Sequence, residues 1–67
     1  MYTVEIYEGN TLVEVFETQD KREISHLLDY YRMFFDSSYK YKILGEVQYV
    51  FFNQSDTSEI AVVIKES

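Results

Sequence analysis

The chain has 67 residues, with twelve Asp and Glu against six Lys and Arg, for a formal net charge of −6. It has no Cys and only one His, which excludes a disulfide framework, thiolate metal sites and a histidine-built zinc centre. The acidity argues against nucleic acid and anionic membranes as partners, since both attract the opposite sign, and leaves a basic protein surface as the complementary partner.

Residues 1–67 make one small domain. A chain of this size buries only about 60% of the surface its unfolded form exposes, so small domains lean on disulfides, metals or oligomerisation. With the first two excluded, a homodimer or an unusually aromatic core remains, and twelve residues are Tyr or Phe. No apolar run approaches the ~20 residues of a membrane span, and the N-terminus lacks a basic-then-apolar leader; a soluble cytoplasmic protein is expected. Phe, Tyr, Met, Ile, Asn and Lys number 25 against 5 for Gly, Ala, Arg and Pro, as in an AT-rich genome such as that of a low-GC bacterium or its phage. For a phage protein the compartment would be the host cytoplasm.

Residues 2–7 and 11–17 alternate polar and apolar with period two, the pattern of half-buried strands. Gly9-Asn10 between them suits a two-residue hairpin turn. An unbroken ladder from that turn pairs Tyr7 with Leu12, Ile6 with Val13, Glu5 with Glu14, Val4 with Val15 and Thr3 with Phe16. Val4, Ile6, Val13 and Val15 then form a core face, and Thr3, Glu5, Tyr7, Leu12, Glu14 and Phe16 share the other. Five carboxylates and no base fall in residues 1–20, so this hairpin concentrates the negative charge.

A helix is predicted next. Asp20 and Glu23 have the spacing of a capping box, and Ile24, Leu27, Leu28, Tyr31 and Phe35 recur as one apolar stripe. His26, Asp29, Met33 and Asp36 lie opposite the stripe, flanked by Tyr30 and Phe34, and Asp36-Ser37-Ser38 ends the helix.

Residues 47–53 and 59–65 read as a hairpin around the polar loop Ser55–Ser58. Tyr39–Leu44 is either a separate strand turned at Gly45-Glu46 or the start of one long strand bulged at Gly45. The fold class is therefore α+β: an antiparallel sheet of four to five strands, ββαβ(β)β, with one helix packed on one face. The last two strands are apolar on both sides: Val47, Tyr49, Phe51, Ile60, Val62 and Ile64 on one, and Val50, Phe52, Ala61 and Val63 on the other. One helix covers one face, so the second face, continuing into Tyr7, Leu12 and Phe16, calls for a second copy or another protein.

No catalytic constellation is evident. Opposed Glu5 and Glu14 would repel by roughly 0.2–1 kcal/mol, a cost that a partner's Lys or Arg would relieve; acid–base catalysis would need a cleft that raises one pKa. Ser25, His26 and Asp29 do not make a triad, because adjacent helical residues diverge by ~100°. Tyr39-Lys40-Tyr41-Lys42 interleaves aromatics with bases as single-strand binders do, but two lysines in so acidic a protein give little attraction for phosphates.

The expected function is that of a non-enzymatic protein-binding module without cofactor or metal, which occludes a basic surface of a target protein as phage-type inhibitors and DNA mimics do. Glu5, Glu8, Glu14 and Glu17 would meet Lys or Arg, with Tyr7, Leu12 and Phe16 as anchors. Val50, Phe52, Ala61 and Val63 would make the dimer or second-face contact. The alternative is a structural homodimer, or an accessory subunit of a larger complex, with no inhibitory role.

Overall fold

The computed structural model describes residues 1–67. In chain order it contains β1 (Tyr2–Glu8), β2 (Thr11–Thr18), α1 (Lys21–Phe34), β3 (Ser37–Ile43), β4 (Glu46–Phe52) and β5 (Glu59–Glu66). The strands form one antiparallel sheet in the order β2-β1-β5-β4-β3, so the last strand inserts between the first hairpin and β4. The expected α+β architecture is present, with five strands. No helix is long and apolar enough to cross a membrane.

Two tight turns set the hairpins. Gly9 has φ +62 and Asn10 does not follow it into positive φ, the pattern of a II′ turn with glycine first. Between β3 and β4 both turn residues are left-handed, Leu44 at φ 50 and Gly45 at φ 82. This I′-like turn makes the stretch a separate strand, running Ser37–Ile43 with Leu44 in the turn rather than over 39–44. The β4–β5 loop is longer than the four polar residues suggest, running from Asn53 to Ser58.

The first hairpin departs from the unbroken ladder. Tyr7 does face Leu12, but a bulge then shifts the register, so that Ile6 faces Glu14, Glu5 faces Val15, Val4 faces Phe16 and Thr3 faces Glu17. Val13 is the extra residue. The shift turns the rest of β2 over: Phe16 now packs against the core, while Val13 and Val15 are 52% and 50% exposed. Glu5 and Glu14 are not opposed; they lie on opposite faces of the sheet.

The core lies between the sheet and α1. Val4, Ile6, Phe51 and Val62 from three adjacent strands meet Ile24 and Leu28 of the helix, with Leu27, Tyr31, Phe35, Phe16, Tyr49, Ile60 and Ile64 around them. Phe51 is fully buried, with the rings of Tyr31 and Phe35 centred 5.6 and 6.5 Å away. Asp20 caps the helix by accepting from the Arg22 backbone N–H at 2.9 Å. Its own N–H donates to Thr18 Oγ1 at 3.0 Å, so the reciprocal role expected of Glu23 falls to Thr18. The helix stops at Phe34, and Ser37 already belongs to β3.

The face away from the helix has no element over it. The register lays out two rows across all five strands: Leu12–Tyr7–Ala61–Val50–Tyr39 and Val15–Glu5–Val63–Gln48–Tyr41. Val50 and Val63 are nonetheless buried, both at 4% exposure. Side chains on the same face provide that cover; Tyr39 stacks on Tyr41 and meets Phe52 edge-on, both at 6.0 Å between ring centroids.

Candidate functional site

The broadest concavity is a shallow groove of about 670 Å3 between β2 and α1, lined by Glu14, Phe16, Glu17, Glu23, His26, Leu27 and Tyr30. The bulge builds it. By turning Glu14 and Phe16 to the helix side, it sets an apolar floor of Phe16 and Leu27 beneath a carboxylate. From the helix, Glu23, His26, Leu27 and Tyr30 face the same way because they recur at three- and four-residue spacing.

The groove is acidic and its acids have no basic partner. The four ion pairs of the molecule are Arg22–Asp20, Arg32–Asp29, Lys65–Glu5 and Lys65–Glu46, leaving Glu14, Glu17 and Glu23 out. The charge of Glu14 reaches the adjacent core: burial first, then Glu14, raises the Tyr31 hydroxyl above its ordinary value. Beside the groove, the outer face of α1 carries a ridge of Tyr30, Met33 and Phe34. Met33 is 83% exposed, and the Tyr30 and Phe34 rings lie 4.8 Å apart.

The seven residues expected to bind a partner do not form one surface. Glu14, Phe16 and Glu17 line the groove. Glu8 is exposed at the end of β1, near Phe35, Ser58, Glu59 and Ile60. Glu5, Tyr7 and Leu12 belong to the open face. There the Tyr7 hydroxyl donates to Glu5 Oε1 at 3.3 Å and Lys65 Nζ donates to Glu5 Oε2 at 3.3 Å. Glu46 stands 3.8 Å from the same ammonium. The hydrogen bond and charge of Glu5 raise Lys65 above its ordinary pKa, and burial followed by the Glu5 charge raises Tyr7. Val50, Phe52, Ala61 and Val63 do share the open face: Val50 and Ala61 stand in one row with Tyr7 and Tyr39, Val63 in the next with Glu5 and Tyr41, and Phe52 pairs with Ser37 and Glu59.

Glu23 and Leu27 were absent from the expected binding set, although their helical spacing with His26 and Tyr30 is visible in the sequence. What hid the groove was the bulge, which decides whether Glu14 and Phe16 join them. Asp29 pairs with Arg32 at 2.7 Å, leaving His26 to the groove. No group of three or more His, Asp or Glu side chains converges as a metal site would. No protein-family model, characterised protein or solved structure matches this chain.

Proposed function

We propose that this protein is a non-catalytic binding module that occludes a basic surface of another protein, the mode of action of a phage-type inhibitor or nucleic-acid mimic. One observation carries the reading: the β2–α1 groove sets three carboxylates without ion pairs around an apolar floor. A Lys or Arg side chain suits both parts. Its stem lies along Phe16 and Leu27, its head donates charge-assisted hydrogen bonds to Glu14 or Glu23, and the Tyr30 ring offers a cation–π face. The Tyr30–Met33–Phe34 ridge supplies the aromatic and Met character enriched where partners desolvate.

The test is affinity purification from the host, followed by dissociation constants for each captured partner with wild type and Glu14→Lys/Glu23→Lys. A loss of at least about tenfold in the variant, in binding that weakens as salt rises, fits this reading. Glu59→Lys/Glu66→Lys, with the same charge change at the two ends of β5, is expected to bind near wild-type strength. Equal binding by the groove variant to every partner overturns the reading.

A second reading, a structural homodimer or accessory subunit whose acidity serves solubility, draws on the open face and its apolar row from Leu12 to Tyr39.

A further inference from the structure

We propose that a hollow between α1 and β4, on the flank of the helix away from the acidic groove, binds an acidic peptide segment of a partner protein. An apolar side chain of that segment would rest on the floor, with a carboxylate held at each side. The site is separate from the groove of the proposed function and does not depend on it.

Ion pairing singles out this flank. Arg22, Arg32 and Lys65 make all four ion pairs, which leaves Lys21, Lys40 and Lys42 without a carboxylate. All three gather here. Lys21 lines the hollow. Lys40 and Lys42 pair with Tyr49 and Val47 across the β3–β4 ladder and share their side of the sheet, and both of those partners line the hollow. Glu66 is the one acid in the lining, so three ammoniums stand against one carboxylate in a chain of net charge −6.

The geometry fixes the occupant. The hollow measures about 390 Å3, and six of its nine lining residues are apolar. Ile24 and Leu28 of the helix meet Val47 of β4 and Ile64 of β5 in its wall and floor. Lys21 Nζ lies 5.9 Å from the centre of the Tyr2 ring, and Lys40 Nζ lies 5.9 Å from that of Tyr49. Those two rings border the hollow from β1 and β4, two strands or about 10 Å apart. One carboxylate does not bridge that span, whereas an extended peptide covers it in about three residues. An apolar side chain between two acids therefore matches floor and rim together. Single-stranded nucleic acid does not. The overall charge repels phosphates, and the ladder sends Tyr39 and Tyr41 to the open face while Lys40 and Lys42 take the helix side, so that run's rings and bases form no common surface.

NMR titration of isotope-labelled protein with acetyl-Glu-Glu-Leu-Phe-Glu-Glu-amide tests the site. Saturable shifts are expected at Ser25, Val47, Tyr49 and Ile64, with a dissociation constant of about 1 mM or below. Lys21→Gln/Lys40→Gln is expected to bind the peptide at least about tenfold more weakly. Both lysines are exposed, so its shift dispersion should match wild type. The peptide with Gln in place of every Glu makes the same comparison on unaltered protein, with the same loss expected. Arg22→Gln, which removes a positive charge outside the hollow, is expected to bind as wild type does. No saturable shift by about 10 mM, shifts that gather outside the hollow, or equal binding in either comparison overturns the proposal. Octanoate is run in parallel as a small apolar anion. If it binds the same residues more tightly than the peptide, the hollow belongs to such a ligand and the peptide assignment is overturned.

Discussion

Lys65 donates to Glu5 across the β1–β5 ladder at 3.3 Å, at the centre of a face no other element covers. Glu5 also accepts from Tyr7, and both donors hold their protons beyond their ordinary values. A group whose folded pKa is raised contributes stability that is complete below its unfolded pKa and lost as pH rises through the folded value. The network therefore weakens above about pH 10, where unfolded Tyr and Lys begin to titrate. Urea midpoints against pH are expected to fall above that point in wild type, and to fall less steeply in Glu5→Gln. Parallel curves would show that Glu5 does not set the alkaline limit.

Asp20 behaves in the opposite sense. The Arg22 backbone N–H, then its guanidinium, depress the Asp20 carboxyl. Its contribution is present above the unfolded value of about 3.9 and is lost as pH falls through the lower folded value. Asp20→Ala is expected to be less stable than wild type at neutral pH and to converge with it toward pH 2, as followed by helical CD at 222 nm. A gap that persists undiminished in acid would assign the cap's effect to something other than its charge.

The bulge at Val13 makes neighbouring residues energetically unequal. Phe16→Ala removes a ring packed on the core and is expected to cost about 2–3 kcal/mol, the lower part of the large-to-small range because the ring is only partly buried. Val15→Ala, at a half-exposed position, should change monomer stability by no more than about 0.5 kcal/mol. Denaturant titration at a concentration that keeps the chain monomeric reads both. An unbroken ladder predicts the reverse order.

Phe51 lies at the centre of the core with no exposed surface. Phe51→Ala is expected to cost about 3–5 kcal/mol, comparable to the whole stability of so small a domain. Loss of near-UV aromatic CD and of NMR chemical-shift dispersion at 25 °C checks it. Phe51→Leu keeps more of the volume and should remain folded.

Leu44 occupies a left-handed turn position that Asn, Asp or Gly fills more easily, and it is 98% exposed. Relieving the clash between its Cβ and the backbone makes Leu44→Asn stabilising by about 0.5–1 kcal/mol. Thermal unfolding should shift upward. No shift, or a fall, would mean that the left-handed backbone at Leu44 carries less strain than its positive φ implies.

Element type and order could be read from the chain because period-two and helical alternation are local signals, clear in Val4–Ile6, in Ile24–Leu28–Tyr31 and in Val62–Ile64. The unbacked second face could be read for the same reason, since Val50, Ala61 and Val63 alternate with residues plainly bound for the core. Strand order could not, because β5 pairs with β1 across more than fifty residues and no turn ties them together. The bulge escaped because Glu14, Val15 and Phe16 alternate equally well in either register; burying the Phe16 ring decides the matter only in three dimensions. Since the groove depends on that register, it was hidden with it. The polar cover that Glu5 and Lys65 give the open face was hidden with the strand order.

The outermost strands are oppositely charged, with Glu14 and Glu17 on β2 and Lys40 and Lys42 on β3. Were two like rims to align, lysines would abut lysines or glutamates would abut glutamates, so neither border can zip to its own counterpart without electrostatic penalty. The irregular β2 margin offers a poorer template still. Ribbon growth is therefore left to the unlike pair, β2 against β3, whose charges attract, and the bulge on β2 is what interrupts that pairing in a molecule with no prolines.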